Sequence, residues 1–176
     1  AESFDISADL AELARTPVAV VCAGAKSILD IGKTLEVLES NGVPVLGHGT
    51  DRFPAFFTRD SGYPVDHRFD AVSDIARVIR MQNLLKMGGI LVANPIPAES
   101  AMDPQEIDGW IAAAIMEAED KGITRKDVTP YLLQRIFELS AGKSLVANVA
   151  LITNNATVAG EISVALSALE QEQDQG

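Results

Sequence analysis

A lysine stands between a valine-rich apolar run and a helical pattern: Pro17 to Gly24 reads PVAVVCAG, and Ala25, Lys26 and Ser27 follow. Ligands of open α/β sheets bind just beyond the carboxyl ends of the strands, which is where this lysine falls. Burial there disfavours the ammonium form, so a lysine in this setting can lose its proton near neutral pH and act as an amine nucleophile. The plainer reading is a surface lysine that helps to start a helix, and spacing alone leaves both open.

Other candidates are weaker alone. Asp5, Ser7 and Asp9 offer two carboxylates and a hydroxyl within five residues, hard oxygen ligands that suit magnesium or manganese. Ser7 or Asp9 serves equally well as the N-cap of a short helix over 9–14. Gly49-Thr50-Asp51 reads first as a turn. His48 and His67 have no nucleophile or ligand pattern around them, and Cys22 packs as a small hydrophobe. Gly142-Lys143-Ser144 ends like a phosphate loop, but positions 137 and 138 are Phe and Glu, so the leading glycine is missing and an ATP site is rejected. Asn148 sits in an apolar helical stretch, where its amide needs either a core partner or a ligand.

These residues must be held by a frame. The apolar run at 17–24, the helical spacing of Ile28, Ile31, Leu35 and Leu38, and a second run at Val43–Leu46 make a βαβ unit beside a parallel sheet. The stretch from 47 to 68 holds most of the aromatic residues and many turn formers, and reads as loop. A helix is expected over 71–87, a buried strand in GGILVANP, and then helices over 103–121, 128–139 and 144–169. The expected architecture is a three-layer α/β/α sandwich with a parallel or mixed sheet and a helical C-terminal part, one domain over 1–176. Only about four strands can be counted, so the sheet is expected to be completed elsewhere.

Composition narrows the function. A net charge of -11 opposes the phosphate neutralisation that nucleic-acid binding needs. No apolar run approaches the ~18 residues of a membrane helix, and the N-terminal residues lack the pattern of a signal peptide. One cysteine excludes an internal disulfide and fits a reducing cytoplasm.

Five ordered segments, FDISADL, ARTPVAVVCAGAKSILDI, GTDRFPAFFTR, NPIP and GKSLVANVAL, closely resemble successive motifs of the pseudouridine-5'-phosphate glycosidases, or indigoidine synthase A-like family. The resemblance implies reversible cleavage of the carbon–carbon glycosidic bond of pseudouridine 5'-phosphate to uracil and ribose 5-phosphate, with manganese or another divalent metal such as magnesium. It casts Lys26 as covalent nucleophile and Asp5 as metal ligand. Ser7, Ala8 and Asp9 fall in the segment that contacts the phosphorylated substrate, and Asn148 near the base. It further implies a homotrimer. Family members are roughly twice this length and carry their general acid in an N-terminal half, so the chain is expected to be the C-terminal portion. The rival expectations are a non-catalytic assembly half of a split protein, or a lysine-imine lyase acting on another sugar phosphate.

Overall fold

The computed structural model describes residues 7–25, 30–124 and 127–174. The apolar runs form strands β1 (Ala19–Cys22), β2 (Val45–His48) and β4 (Ile90–Ala93), and a short β3 (His67–Phe69) joins them. All pairings are parallel, in the order β1-β4-β2-β3. β3 arises inside the stretch expected to be loop, because three residues with two exposed side chains are too short to show a period. β1 and β2, consecutive in sequence, are separated by β4.

Strand alternation sorts the core into two sheet faces. Val45, Leu91 and Ala93 face α1 (Ala8–Leu13) and α2 (Ile31–Ser40), and pack with Leu13, Leu38 and Phe53. Leu46, Ile90 and Val92 face the other way, onto Ile75 and Ile79 of α3 (Val72–Leu84) and Val158 and Ile162 of α6 (Lys143–Asp174). That is the expected three-layer sandwich. A third cluster joins α4 (Pro104–Asp120), α5 (Val128–Leu139) and the first half of α6 to Ala23, Phe57 and Ile96 near the strand ends.

Local chemistry sets the helix ends. Asp103 caps α4 by accepting from the Gln105 and Glu106 amides, and Pro104 takes the first position, where a missing N–H costs nothing. Gly142, at φ +84, closes α5 by donating to the Phe137 carbonyl. Ser140 Oγ then accepts from the Ser144 amide, so the Gly-Lys-Ser sequence is a helix-to-helix corner.

α6 corrects one expectation. By length and composition alone, its span Lys143–Glu172 is long and apolar enough to cross a membrane. Asn148, Asn154, Asn155 and Glu161 interrupt it, which is why no unbroken apolar run marks it in the sequence. In the fold it lies against α3 and β1, with Ala147, Leu151, Val158 and Ile162 buried. Leu145, Val146, Val149 and Ile152 remain exposed on its first half.

A charged cluster ties α4 to α5. Arg135 grips Glu117 through two hydrogen bonds of 2.8 and 2.9 Å and reaches Glu138 at 2.9 Å. Those bonds from Arg135, with weaker help from Tyr131 and Lys121, hold the Glu117 carboxyl below its ordinary value of 4.5.

Two outcomes test this packing. Ile75→Ala, at a position with no exposed surface, is expected to cost roughly 2–5 kcal/mol in urea unfolding. Val164→Ala, at an exposed position, is expected to change stability by less than about 0.5 kcal/mol. A depressed carboxyl contributes stability above its unfolded value, lost as pH falls through the folded one. Acid titration below the ordinary glutamate value of 4.5 should therefore loosen α4 from α5. Arg135→Met should flatten that dependence, and an unchanged profile would refute the assignment.

Candidate active site

The carboxyl end of β1 is held from two sides. The Asn94 amide, one residue past β4, donates to the Cys22 carbonyl at 2.8 Å. From the loop after β2, the Phe56 amide donates to the Ala23 carbonyl at 2.9 Å, and Gly24 bridges Ala55. Gly24 has φ +85, and a Cβ placed on it would lie 1.7 Å from the Pro54 carbonyl oxygen. Only glycine fits there.

The FPAFF turn that makes this contact is itself strained and braced. Phe56 has φ +64, unusual for an aromatic residue, and its ring meets Phe57 edge to face at 4.8 Å between centroids. Ala55 donates to the Thr58 carbonyl at 3.0 Å, and the Arg59 guanidinium bonds the Ile96 carbonyl. Backbone strain of this kind, about 1–3 kcal/mol, persists only where the surroundings over-determine it. Here the surroundings are two strand ends and the contact of the half-buried Phe56 ring with the buried Phe57.

A polar net crosses the same strand ends. His48 closes β2 and shares its Nδ1 with the Asn94 side-chain oxygen at 3.0 Å. The Asn94 amide nitrogen donates to Asn155 Oδ1 at 3.0 Å, and Asn154 donates to the Pro95 carbonyl at 3.2 Å. With its NH2 committed to Asn155, Asn94 offers His48 an acceptor. The neutral imidazole then carries its proton on Nδ1 and leaves Nε2 as an acceptor. Asn94 is nearly fully buried. α6 therefore passes over the strand ends where its apolar face is interrupted by two asparagines.

Asn148 belongs to the same helix face, seven residues and about two turns before Asn155. Its Oδ1 is buried and has no hydrogen-bond partner among the described residues. A buried acceptor left unpaired costs about 1–3 kcal/mol, so the core-partner explanation of this asparagine is not met there.

The remaining candidates fall elsewhere. Lys26 and Asp5 lie outside the described residues. Gly24 and Ala25 deliver the chain to within one residue of the lysine. Ser7 is the N-cap of α1, accepting from the Asp9 amide at 3.3 Å, while Ala8 and Asp9 are exposed in its first turn. Among the described residues, no hydrogen bond or ion pair joins these three to the strand-end net. Among the described residues, no three His, Cys, Asp or Glu side chains are grouped to hold a metal ion. Thr50 folds into a side-chain turn with Arg52, and Asp51 pairs with Arg68 at 2.9 Å. Burial pushes the Cys22 thiol up, which suits packing better than reactivity. A cleft of about 360 Å³ between α4 and α5 is lined by the Arg135–Glu117 cluster, whose charges are already paired.

Asn94, Asn154 and Asn155 are the site residues that sequence reasoning passed over. The signal was present as an asparagine ending an apolar strand and an Asn-Asn pair inside an apolar helix. His48 is satisfied by a partner 46 residues away, which its sequence neighbours could not reveal.

Residues 1–165 match the family described as Indigoidine synthase A like protein. A pseudouridine-5'-phosphate glycosidase of Sorangium cellulosum is 62% identical over 167 residues, which are 95% of this chain and 53% of that protein. A pseudouridine-5'-phosphate glycosidase 2 of Rhizobium johnstonii is 55% identical over 97% of this chain and 55% of its own. Among solved structures, the prealnumycin C-glycosynthase AlnA in complex with ribulose 5-phosphate superposes with a TM-score of 0.90 at 38% identity, over 97% of this chain and 57% of that one. An indigoidine synthase A-like protein of Thermotoga maritima gives a TM-score of 0.82 at 34% identity, over 94% of this chain and 54% of that one. The chain thus spans about half the length of the curated relatives it matches.

Substitution at Gly24 tests the corner that leads to Lys26. Gly42 also has positive φ, but nothing lies within 4 Å of an added Cβ, so Gly42→Ala should cost about 1 kcal/mol. Gly24→Ala adds a backbone collision and should cost at least about 2 kcal/mol more in chemical unfolding. Equal losses at the two positions would show that the Pro54 contact does not constrain the corner.

Proposed function

The chain belongs to the indigoidine synthase A like family, and from that premise we propose that it supplies the nucleophile-bearing half of an enzyme that reversibly cleaves pseudouridine 5'-phosphate to uracil and ribose 5-phosphate. The observation that carries this reading is the Gly24 corner. Three of the five motif segments meet through hydrogen bonds at the carboxyl end of a parallel sheet, GKSLVANVAL packs Ala147 and Leu151 against them, and Lys26 follows two residues after the glycine that the FPAFF turn clamps. The names of the relatives support the substrate class, and the solved C-glycosynthase neighbour bound a pentulose 5-phosphate.

A carbon–carbon bond to uracil offers no oxygen leaving group to protonate, so an electron path must be made. The Lys26 amine attacks the anomeric carbon, a carbon–nitrogen bond forms, and the ring carbon–oxygen bond breaks with its electrons on the ring oxygen, which takes a proton. An acid next protonates the uracil carbon. The nitrogen lone pair expels the base as the carbon–carbon bond breaks, leaving an iminium, and water releases ribose 5-phosphate and the free amine. Synthesis runs the same steps backwards.

Other residues take supporting roles. Ser7, Ala8 and Asp9 would contact the phosphorylated substrate. Asn148, with its unpaired buried oxygen, would accept from the amide edge of the base. Asp5 would hold a divalent ion, manganese or magnesium, whose carboxylate-preferring chemistry suits it and whose charge offsets the phosphate. The same reading has the assembled enzyme cytoplasmic and trimeric.

A second reading is favoured by coverage: a chain spanning about half of its relatives could be an assembly half without turnover of its own. Metal-dependent uracil release by the isolated chain would defeat it.

Borohydride reduction in the presence of ribose 5-phosphate, with the family-length protein, should add the mass of a reduced pentose 5-phosphate to Lys26. Lys26→Ala should abolish the label and lower kcat by about a thousandfold or more while leaving the unfolding midpoint unchanged. A label that survives the substitution removes the role given to this amine.

A further inference from the structure

The contacts of α6 fix its direction. Val158 and Ile162 pack on Leu46, Ile90 and Val92 within the sheet, whereas Ala147 and Leu151 pack with Ala23, Phe57 and Ile96 beyond the strands. α6 therefore runs opposite to the strands and projects past their carboxyl ends. Asn155, bonded to Asn94, stands level with those ends. Asn148 lies about 10 Å further out on the same helix face, seven residues at ~1.5 Å each.

The strand ends make the floor below Asn148. Ala93 pairs with both Cys22 and Gly47, so one residue later Ala23, Asn94 and His48 fall side by side. Alternation turns Asn94 and His48 to the face of Val92 and Leu46, which α3 and α6 cover. His48 is half-buried there. Its Nδ1 donates to Asn94 Oδ1 at 3.0 Å, since the Asn94 NH2 is given to Asn155. Turning either group over would break that order, so Nε2 of the neutral imidazole is a fixed acceptor. Among the described residues, no hydrogen bond meets it.

We propose that His48 is a substrate-contacting residue, whose Nε2 accepts a hydrogen bond from the 2- or 3-hydroxyl of the pentose 5-phosphate carried on Lys26. The contact rests on the assignment of Lys26 and its sugar phosphate. Asn148, at the outer level, takes the base, so the pentose attached to that base fills the interval between Asn148 and the floor. The segment assigned to the phosphate, Ser7 to Asp9, begins α1 on the opposite face of the sheet. With the base held on the α6 side and the phosphate on the α1 side, the sugar lies across the strand ends and its two secondary hydroxyls are the donors left to meet the floor. An imidazole nitrogen that can only accept suits a hydroxyl and rejects a sugar lacking it, because the acceptor is then left without a partner.

Borohydride labelling of the family-length protein tests the contact, with half-saturating concentrations measured for ribose 5-phosphate and its 2-deoxy and 3-deoxy analogues. Wild-type protein should need about tenfold or more of at least one analogue, the size of one neutral hydrogen bond. His48→Asn keeps an amide donor for Asn94 and removes Nε2. It should need about tenfold more ribose 5-phosphate and no longer distinguish that analogue, while half-saturation by uracil in synthesis stays unchanged because α6 has not moved. Should this variant lower the unfolding midpoint, His48→Phe is read by the same ratio, which compares two ligands on one protein. Equal half-saturation of the wild type by all three sugars, or a variant that keeps the wild-type preference, would overturn the contact. Wild-type protein that takes no label removes the Lys26 assignment and this contact with it, whereas a labelled wild type beside an unaffected variant removes the contact alone.

Discussion

Gly24 and Pro54 meet backbone to backbone, and the geometry of the strand-end region follows from that contact. A carbonyl oxygen occupies the space where a side chain would begin, so the chain leaving β1 has one path past the FPAFF turn. The turn must in turn accept a left-handed aromatic residue at Phe56 to present its amide to Ala23. Two local costs, one entropic at the glycine and one torsional at the phenylalanine, are held in place by hydrogen bonds and by the edge-to-face contact of Phe56 with Phe57. Rigidity at Gly24 limits where the next residues can go.

The polar net beside this corner resolves a second problem. α6 has no distinct apolar side, and a helix of that pattern has little to fix its rotation. Asn154 and Asn155 supply the missing constraint, one reading the Pro95 carbonyl and the other the Asn94 side chain. Each bond adds modest net stability, but sliding or turning the helix would strand buried amides at a larger cost. The asparagines therefore set the register of α6 against the sheet, and with it the position of Asn148.

Much of the frame was legible in the sequence because its signals are local. Continuous apolar runs gave β1, β2 and β4, and helical spacing with caps such as Asp103 and Gly142 gave α4 and α5 to within a residue. β3 was not legible, since HRF is short and its pairing with β2 is what makes it a strand. Nor could spacing reveal that Asn94 meets His48 and Asn155, 46 and 61 residues away, because side-chain hydrogen bonds across a fold leave no periodic trace. The lysine was conspicuous by its place after a buried run, and Gly24 needed the Pro54 oxygen to show why it is a glycine.

The strand order has a consequence for how the chain acquires its shape. β4 is the last strand to be made, yet it lies between β1 and β2. The two early strands have no direct pairing with each other, so the sheet cannot close on the ribosome until the residues around 90–93 have emerged. Until then the segment from β1 to α3 has its helices and the β2–β3 pair but nothing that joins β1 to the other strands, and the sequence separation of these native contacts predicts slow collapse into register. Nascent chains paused before that point are the species most exposed to mispairing and most dependent on chaperones.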